Sequence, residues 1–184
     1  MRNRGIIGGI IFLLCLLALA GLVFAQGSAG ADFSADKIML NYKKNVTTFW
    51  GTPEKPVSVQ VDQYTVWAPL LEYFQDTGKV VASEGVKLVG ANPKIELVSD
   101  QLEADDTQVI AVGNVAFEYE EFSGSAEKLT YLPDEERLIL TGNPVVKTKD
   151  GIISGAVIEI DLNAEVIMAS GGSQLHLEEV ERRD

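Results

Sequence analysis

The sequence has very few of the residues on which most catalytic and metal sites depend. Its 184 residues include one cysteine, Cys15, and one histidine, His176. A zinc site built from Cys and His needs three or four such ligands, and a Ser-His-Asp triad would have to use His176 with a serine in a nucleophile elbow, which the sequence lacks. Paired acids such as Asp105 and Asp106 fit charged turns better than glycosidase carboxylates. The sequence therefore predicts a protein that is not an enzyme and that holds no metal ion or other cofactor.

Basic residues are scarce in comparison with acidic ones. The chain has 15 Lys and Arg against 27 Asp and Glu, which gives a net charge of −12. Such a chain is repelled by nucleic acid and by anionic membrane surfaces. The acids are interleaved with apolar residues instead of forming blocks, which is typical of the solvated face of a β-sheet. We therefore expect no nucleic-acid partner.

A long apolar run occurs only at the N-terminus. Arg2 and Arg4 precede the run over residues 6–24, and Val23 and Ala25 provide small residues where a signal peptidase cleaves. Residues 1–25 are predicted to be a signal peptide or, because a run of about 20 residues can span a bilayer, a retained anchor. Residues 26–34 are predicted to be a loose linker. The folded domain, predicted over residues 35–180, lies outside the cytoplasmic membrane in both cases.

Sustained helical periodicity is absent after this segment, and a repeated β-pattern takes its place. Each repeat has an alternating apolar pair, a polar turn, a second alternating run and a glycine. The glycines Gly85, Gly113, Gly142 and Gly171 recur every 28 or 29 residues. Four copies cover residues 71–86, 102–115, 129–145 and 158–171. They predict an all-β fold, a curled antiparallel sheet of repeated hairpins that bends at the glycines.

The alternation places a set of apolar side chains on one face of this sheet. A sheet that curls without closing would leave part of that face as a groove, whereas a sheet that closes would fill its core with the same side chains. The residues alone leave both possibilities open. The candidates are Leu71, Tyr73, Val86, Leu88, Leu102, Val109, Val115, Phe117, Tyr119, Leu129, Tyr131, Leu138, Leu140, Ile158 and Ile160.

An unclosed sheet also exposes unpaired backbone groups at both ends, and these are templates for strand addition. The first strand, over residues 36–42, and the last, over residues 174–178, are predicted to be these edges. Contacts between unlike edges build open chains, so head-to-tail association or docking to similar sheets is expected.

The repeats resemble the OstA-like family of periplasmic lipopolysaccharide-transport proteins. The resemblance covers residues 35–175 and is strongest in three segments: Ala126 to Tyr131 with Leu138 to Val145, Gly113-Asn114-Val115, and Ile153-Ser154-Gly155 with Ile158 to Asp161. The resemblance implies an open β-jelly-roll whose apolar groove, lined by the candidates above, holds the acyl chains of lipopolysaccharide. It also implies a periplasmic location and related jelly-roll proteins as partners in a transport bridge.

Three functions remain to be distinguished at this point. The first is a lipid carrier, which would be a soluble bridge component if the N-terminal segment is cleaved and a membrane-tethered family member if it is retained. The second is a structural β-repeat module of the envelope with a closed core and no lipid. The third, a β-solenoid enzyme acting on polysaccharides, has no candidate catalytic cluster in the sequence.

Overall fold

The computed structural model describes residues 31–61, 64–91 and 94–177, and in this part of the chain the fold is almost entirely antiparallel β-sheet. A single 3-10 turn, Pro133–Glu135, interrupts the strands that are described. The all-β prediction is therefore confirmed. The predicted signal or anchor segment, 1–25, lies outside the described residues. The strands are β1 (Ala31–Ser34), β2 (Lys37–Asn41), β3 (Val46–Trp50), β4 (Val57–Val61), β5 (Tyr64–Ala68), β6 (Leu70–Phe74), β7 (Lys79–Ala91), β8 (Lys94–Ala104), β9 (Val109–Tyr119), β10 (Phe122–Leu132), β11 (Arg137–Thr141), β12 (Val145–Lys147), β13 (Gly151–Ser154), β14 (Val157–Asp161), β15 (Val166–Ser170) and β16 (Gln174–Leu177).

The sixteen strands form ten long units that follow one another through the sheet in sequence order. We call each unit a bent strand. Bent strands 4 to 7 are the long strands β7, β8, β9 and β10, and each of the others is a pair of short strands separated by a few residues. These pairs are β1 with β2, β3 with β4, β5 with β6, β11 with β12, β13 with β14, and β15 with β16. Each bent strand is hydrogen-bonded to the one that follows it in sequence, so the fold is a meander in which each sequence repeat supplies one hairpin.

All bent strands change direction along one line across the sheet, which we call the bend line. The pairing register shifts there in β7, β8 and β10, between Ser83 and Val86, Val98 and Gln101, and Ala126 and Lys128. The four repeat glycines lie on this line with φ between 76° and 99°. Gly113 and Asn114 together oppose the single residue Glu127, which is a β-bulge. The predicted role of the glycines as bend positions is therefore confirmed. Glycine suits these positions because it adopts a left-handed backbone without a steric penalty.

The bend line divides the sheet into two half-sheets whose inner faces pack against each other. Half-sheet A contains β2, β3, β6, β11, β14 and β15, half-sheet B contains β1, β4, β5, β12, β13 and β16, and β7 to β10 run through both. Buried side chains of both half-sheets belong to one hydrophobic cluster. Within the described ranges, bent strands 1 and 10 each have one neighbour, so the sheet is folded over but not closed into a barrel.

One predicted boundary is wrong. The sequence predicts a loose linker over residues 26–34, but residues 31–34 form β1, which pairs antiparallel with β4. The physical reason is the aromatic side chain of Phe33, which stacks on Phe49 of half-sheet A with ring centroids 4.9 Å apart. A four-residue edge strand needs such packing, because backbone pairing with a single neighbour is only marginally stable in water. The preceding part of the predicted linker, 26–30, lies outside the described residues.

Candidate functional site: the apolar inner face

All fifteen predicted candidates lie on the inner face, in or against one hydrophobic cluster. Thirteen are buried members of the cluster, and Tyr73 and Tyr119 are partly buried and pack against it. The buried candidates are Leu71, Val86, Leu88, Leu102, Val109, Val115, Phe117, Leu129, Tyr131, Leu138, Leu140, Ile158 and Ile160. The sequence alternation therefore assigned the correct side of the sheet in every repeat.

Cross-strand register explains why residues so far apart in sequence come together. One row of paired positions runs across half-sheet A through Leu71, Ala82, Leu102, Ala111, Leu129, Leu140 and Ile158. Because side chains on one face recur every second residue, a single correct register at each hairpin aligns the whole row. Ala82 and Ala111 take two of these positions. Their small side chains leave room for larger side chains of half-sheet B to pack against half-sheet A.

Several inner-face residues were missed by the sequence analysis. Four of them belong to bent strands 2 and 3, and the others lie in the long bent strands or in β12. They are Val57, Val59, Tyr64, Val66, Val80, Ala82, Ile95, Leu97, Ala104, Ala111, Ala126 and Val146. The alternation of Val57 with Val59 and of Tyr64 with Val66 was a signal that could have found four of them. These strands lie outside the four repeats, so the repeat alignment did not include them.

The inner face carries no charge among the described residues. The buried polar side chains there are Thr47 and Ser99, and no Asp, Glu, Lys or Arg of the described ranges is buried. The third buried polar side chain, Thr48, lies on the outer face, where it is paired with Met39 and Glu72. Burial raises the pKa of the Tyr73 phenol. Burial is the largest cause that raises the pKa of the Tyr131 phenol well above its ordinary value. The nearby carboxylate of Glu136 and the phenols of Tyr119 and Tyr64 raise this pKa further. Burial, with Glu120 and Glu136, also raises the pKa of Tyr119. The phenols therefore stay neutral, and the interior is suited to an apolar ligand.

The middle of the inner face is closely packed. Leu140, Ile158, Ala111 and Val146 have no measurable exposure, and every other core side chain is at most 8% exposed. Side chains that line an open groove would be in contact with water. Along these residues the two half-sheets therefore enclose a core in this conformation, and no water-filled groove runs past them.

No strand of the described part of the chain covers the inner face at the two ends of the sheet. Ile38 and Leu40 of β2 are about half exposed, and Leu175 and Leu177 of β16 are more than 60% exposed. Both strands are edges in the described structure, since β2 pairs only with β3 and β16 only with β13. The predicted edges, 36–42 and 174–178, are located correctly, although Glu178 lies outside the described residues.

Other kinds of site find little support in the part of the chain that is described. No group of three or more His, Cys, Asp or Glu residues there is arranged to hold a metal ion. No helix there is both long and apolar enough to cross a membrane. The acids lie mainly in turns and on the outer face, where several pair with lysines; one such pair, between Lys87 and Glu96, spans 2.6 Å.

The family model described as "LptA/(LptD N-terminal domain) LPS transport protein" matches residues 32–166. The chain belongs to this family. The predicted membership among OstA-like lipopolysaccharide-transport proteins is therefore confirmed, and the match covers the meander from β1 to the start of β15. Among solved structures, the chain is similar to LptH of Pseudomonas aeruginosa, described as the LptA-homologous periplasmic component of the conserved lipopolysaccharide transport device. The identity is 14% and the TM-score 0.44, over 82% of this chain and 96% of LptH. No curated protein matches the chain.

Proposed function

We propose that this family member is a non-enzymatic periplasmic protein that binds the acyl chains of lipopolysaccharide and forms part of a bridge between the inner and outer membranes. The observation that carries the proposal is the inner face, which is apolar and uncharged across all ten bent strands. The inner-face candidates, from Leu71 to Ile160, pack against one another in this conformation, so acyl chains would contact them after the two half-sheets separate. Energy for transport would come from another protein, because the described residues offer no catalytic cluster.

The energetics of this face suit an acyl ligand. Each methylene that leaves water for an apolar surface contributes about 0.8 kcal/mol, so one acyl chain is retained without any polar contact. An uncharged interior also imposes no penalty for a desolvated charge. Lipid-anchoring contacts of this kind are non-directional, which suits a carrier that must release its cargo as well as hold it.

The proposal is tested by photo-crosslinking in cells that make lipopolysaccharide. A photoreactive phenylalanine analogue is placed singly at Phe117 or Leu175, whose side chains face inward. We expect a lipopolysaccharide adduct from at least one of these positions. The matched controls are Glu118 and His176, which are the next residues in the same strands and face outward. They are expected to give no adduct.

The closely packed centre favours a second candidate, a structural envelope module with a closed core and no lipid. This alternative predicts no adduct at any inner position when the protein is folded and exported. Equal adduct yields from inner and outer positions would also count against the carrier, because they would indicate non-specific contact with lipid. The crosslinking experiment thus distinguishes the two functions directly.

The two ends of the sheet also support the proposed bridge. Bent strand 1 runs from half-sheet B to half-sheet A, and bent strand 10 runs from A to B. Bent strand 1 of one copy, or of a related jelly-roll protein, would therefore pair antiparallel with bent strand 10 of another copy. This pairing places β2 beside β15 and β1 beside β16. Free edges of this kind are templates for strand addition. The bend lines of the two copies then coincide.

Charge at the ends of half-sheet A favours this head-to-tail order. Lys43 and Lys44 lie in the turn after β2, and Glu165 lies in the turn before β15, so stacking brings the two turns together. The double variant Lys43→Glu/Lys44→Glu is expected to weaken self-association by roughly threefold to tenfold, since each exposed pair contributes up to about 1 kcal/mol. Sedimentation velocity over a range of concentrations measures the change.

Two further variants make this association test specific. Lys128→Glu changes the same charge on the exposed face of β10, in the middle of the sheet, and is expected to leave association unaltered. Adding Glu165→Lys to the double variant is expected to restore association, because the opposite charges are exchanged between the partners. A wild-type protein that stays monomeric at all concentrations, and that captures no jelly-roll partner, would refute the edge-strand contact.

A further inference from the structure

Strand β1 covers the point where the buried apolar interior begins at the N-terminal end. Within the described ranges, β1 (Ala31–Ser34) belongs to half-sheet B and pairs with β4 alone. Its Phe33 side chain reaches across to half-sheet A and stacks on Phe49, with 4.9 Å between ring centroids and 12° between ring planes. This stack joins the two half-sheets and closes the interior beneath it.

The opposite end of the sheet has no such closing contact among the residues that the structure describes. Leu175 and Leu177 of β16 are largely exposed. The ring contacts of Phe122 with Phe117 and with Tyr119 join two neighbouring strands within half-sheet B. Closure between the half-sheets by an aromatic side chain is therefore a property of the N-terminal end.

Few contacts attach β1 to the rest of the sheet. Asp32, Phe33 and Ser34 are all exposed, and of these three it is Phe33 that faces the interior. Backbone pairing with a single neighbour is only marginally stable in water, and one aromatic pair adds a modest stabilisation. Segments with so few buried contacts open more readily than the whole protein unfolds. We therefore expect β1 to detach while the remainder of the sheet stays folded.

The residues that follow β1 hold its other end in place. The Asp36 N–H donates to the Trp50 carbonyl oxygen over 2.9 Å, and the Asp36 carboxylate forms a 2.8 Å ion pair with Lys55. Strand β2 then pairs with β3 over five residues. When β1 detaches, the chain would therefore turn at Ala35, and β2 would remain in the sheet.

An exposed apolar surface leads directly to the contact that β1 makes. Ile38 of β2 is 49% exposed and is paired with Phe49, which is only 8% exposed beneath the Phe33 ring. Val59, the β4 residue paired with Phe33, is 1% exposed. Release of β1 would uncover Phe49 and Val59 and so join the open surface of β2 to the buried cluster.

We propose that β1 is a strap, which keeps the interior closed when no lipid is bound and opens it by detaching from β4. Phe33 is the closing contact, and an acyl chain that enters takes the place of its ring between the half-sheets. A closed strap shields apolar surface that would otherwise favour aggregation. The inference rests on the proposed function for the identity of the ligand, whereas the opening itself is a property of the fold.

The test locks the strap with a reversible disulfide. Asp32 and Gln60 lie opposite each other on the outer face of β1 and β4, so Asp32→Cys/Gln60→Cys joins the two strands without altering the interior. Cys15 is replaced by alanine, so that the chain has no other thiol. Access to the interior is measured as the rate at which the purified protein takes up the apolar fluorescent probe N-phenyl-1-naphthylamine. Because uptake passes through the open state, we expect the oxidised form to be at least about tenfold slower than the reduced form.

A second staple controls for the effect of a disulfide as such. Thr130 and Ile139 lie opposite each other on the outer face of β10 and β11, in the middle of the sheet. Thr130→Cys/Ile139→Cys is expected to give the same uptake rate when oxidised and when reduced. Equal slowing by both staples would overturn the strap, and so would equal uptake by the oxidised and reduced forms of the strap staple.

Removal of the closing contact tests the strap in the opposite direction. Phe33→Ala is expected to raise the uptake rate by roughly threefold to tenfold, which corresponds to the loss of one aromatic pair. Phe122→Ala removes a ring of the same size whose aromatic contacts lie within half-sheet B, and it is expected to leave uptake nearly unchanged. Equal uptake by these two variants would contradict the closing role of Phe33.

Lipopolysaccharide adducts separate the strap from the proposed function. The photoreactive analogue is placed at Phe117 in cells that make lipopolysaccharide, where export oxidises the staples. We expect a weaker adduct with the strap staple than with the control staple. Equally strong adducts would overturn the strap and leave the carrier function standing. If folded and exported protein gave no adduct even without a staple, while probe uptake still depended on the strap, the carrier function would fall and the strap would stand.

Discussion

Replacing Leu140 by alanine is expected to lower the free energy of unfolding by about 3–5 kcal/mol. Leu140 has no measurable exposure and lies in the middle of bent strand 8. It is paired with Leu129 on one side and with Ile158 on the other, both of which are buried. Two closely packed half-sheets cannot collapse around the lost volume without moving backbone, so most of the cavity would remain.

Chemical denaturation of the purified protein, followed by circular dichroism, measures this effect. Ile139→Ala is the matched control, because Ile139 is the adjacent aliphatic residue on the outer face and is only partly buried. Its expected loss is about 1 kcal/mol, which corresponds to partial burial. If Leu140→Ala cost no more than Ile139→Ala, the middle of the inner face would be an open groove in solution and not a packed core.

Replacing Gly142 by alanine is expected to cost about 3 kcal/mol, for two separate reasons. Gly142 has φ +76°, a left-handed conformation that costs a residue with a Cβ roughly 1–2 kcal/mol. A Cβ at this position would also lie 2.5 Å from the Cβ of Glu127. No rotation of the Glu127 side chain moves its own Cβ, so the backbone at the bend line would have to shift.

Gly172→Ala separates these two contributions. Gly172 has φ +74°, nearly the same backbone, but a Cβ there would meet nothing within 4 Å. We expect a loss of about 1 kcal/mol from this variant, measured by the same denaturation experiment. The double variant Gly142→Ala/Glu127→Gly is expected to recover part of the loss. Equal losses from Gly142→Ala and Gly172→Ala would mean that the close approach at the bend line contributes nothing to stability.

These two predictions bear on the proposed function because the bend line and the packed core together determine which apolar side chains an acyl chain could reach. A bend at the same position in every bent strand brings the two half-sheets face to face. Close packing between them then buries the apolar residues of the middle, and the remaining apolar surface is left at the edges. Under the proposed carrier function, a variant that loosens the core is therefore expected to increase the lipopolysaccharide adduct at Phe117.

The amino-acid sequence by itself determined the class of fold, the repeat and the face of each strand. Alternation with period two is a local property, so it assigned Leu71, Phe117 and Ile160 to one side without knowledge of any partner strand. The repeat glycines marked the bend positions, because left-handed backbone is a local requirement as well. Near-absence of Cys and His argued against a Cys/His zinc site or a histidine-dependent enzyme on composition alone. The family resemblance rested on the same short-range patterns.

Only the tertiary structure decided how far the two half-sheets close on each other, and therefore which apolar side chains remain accessible. Whether Leu140 lines a groove or fills a core depends on packing between residues that are distant in sequence, and alternation is the same in both cases. The strand at Ala31–Ser34 was missed for the same reason, since its stability comes from the stack of Phe33 on Phe49 across the two half-sheets. Exposure of Ile38 and Leu175 is likewise a property of the ends of the assembled sheet, where no further strand among residues 31–177 covers them.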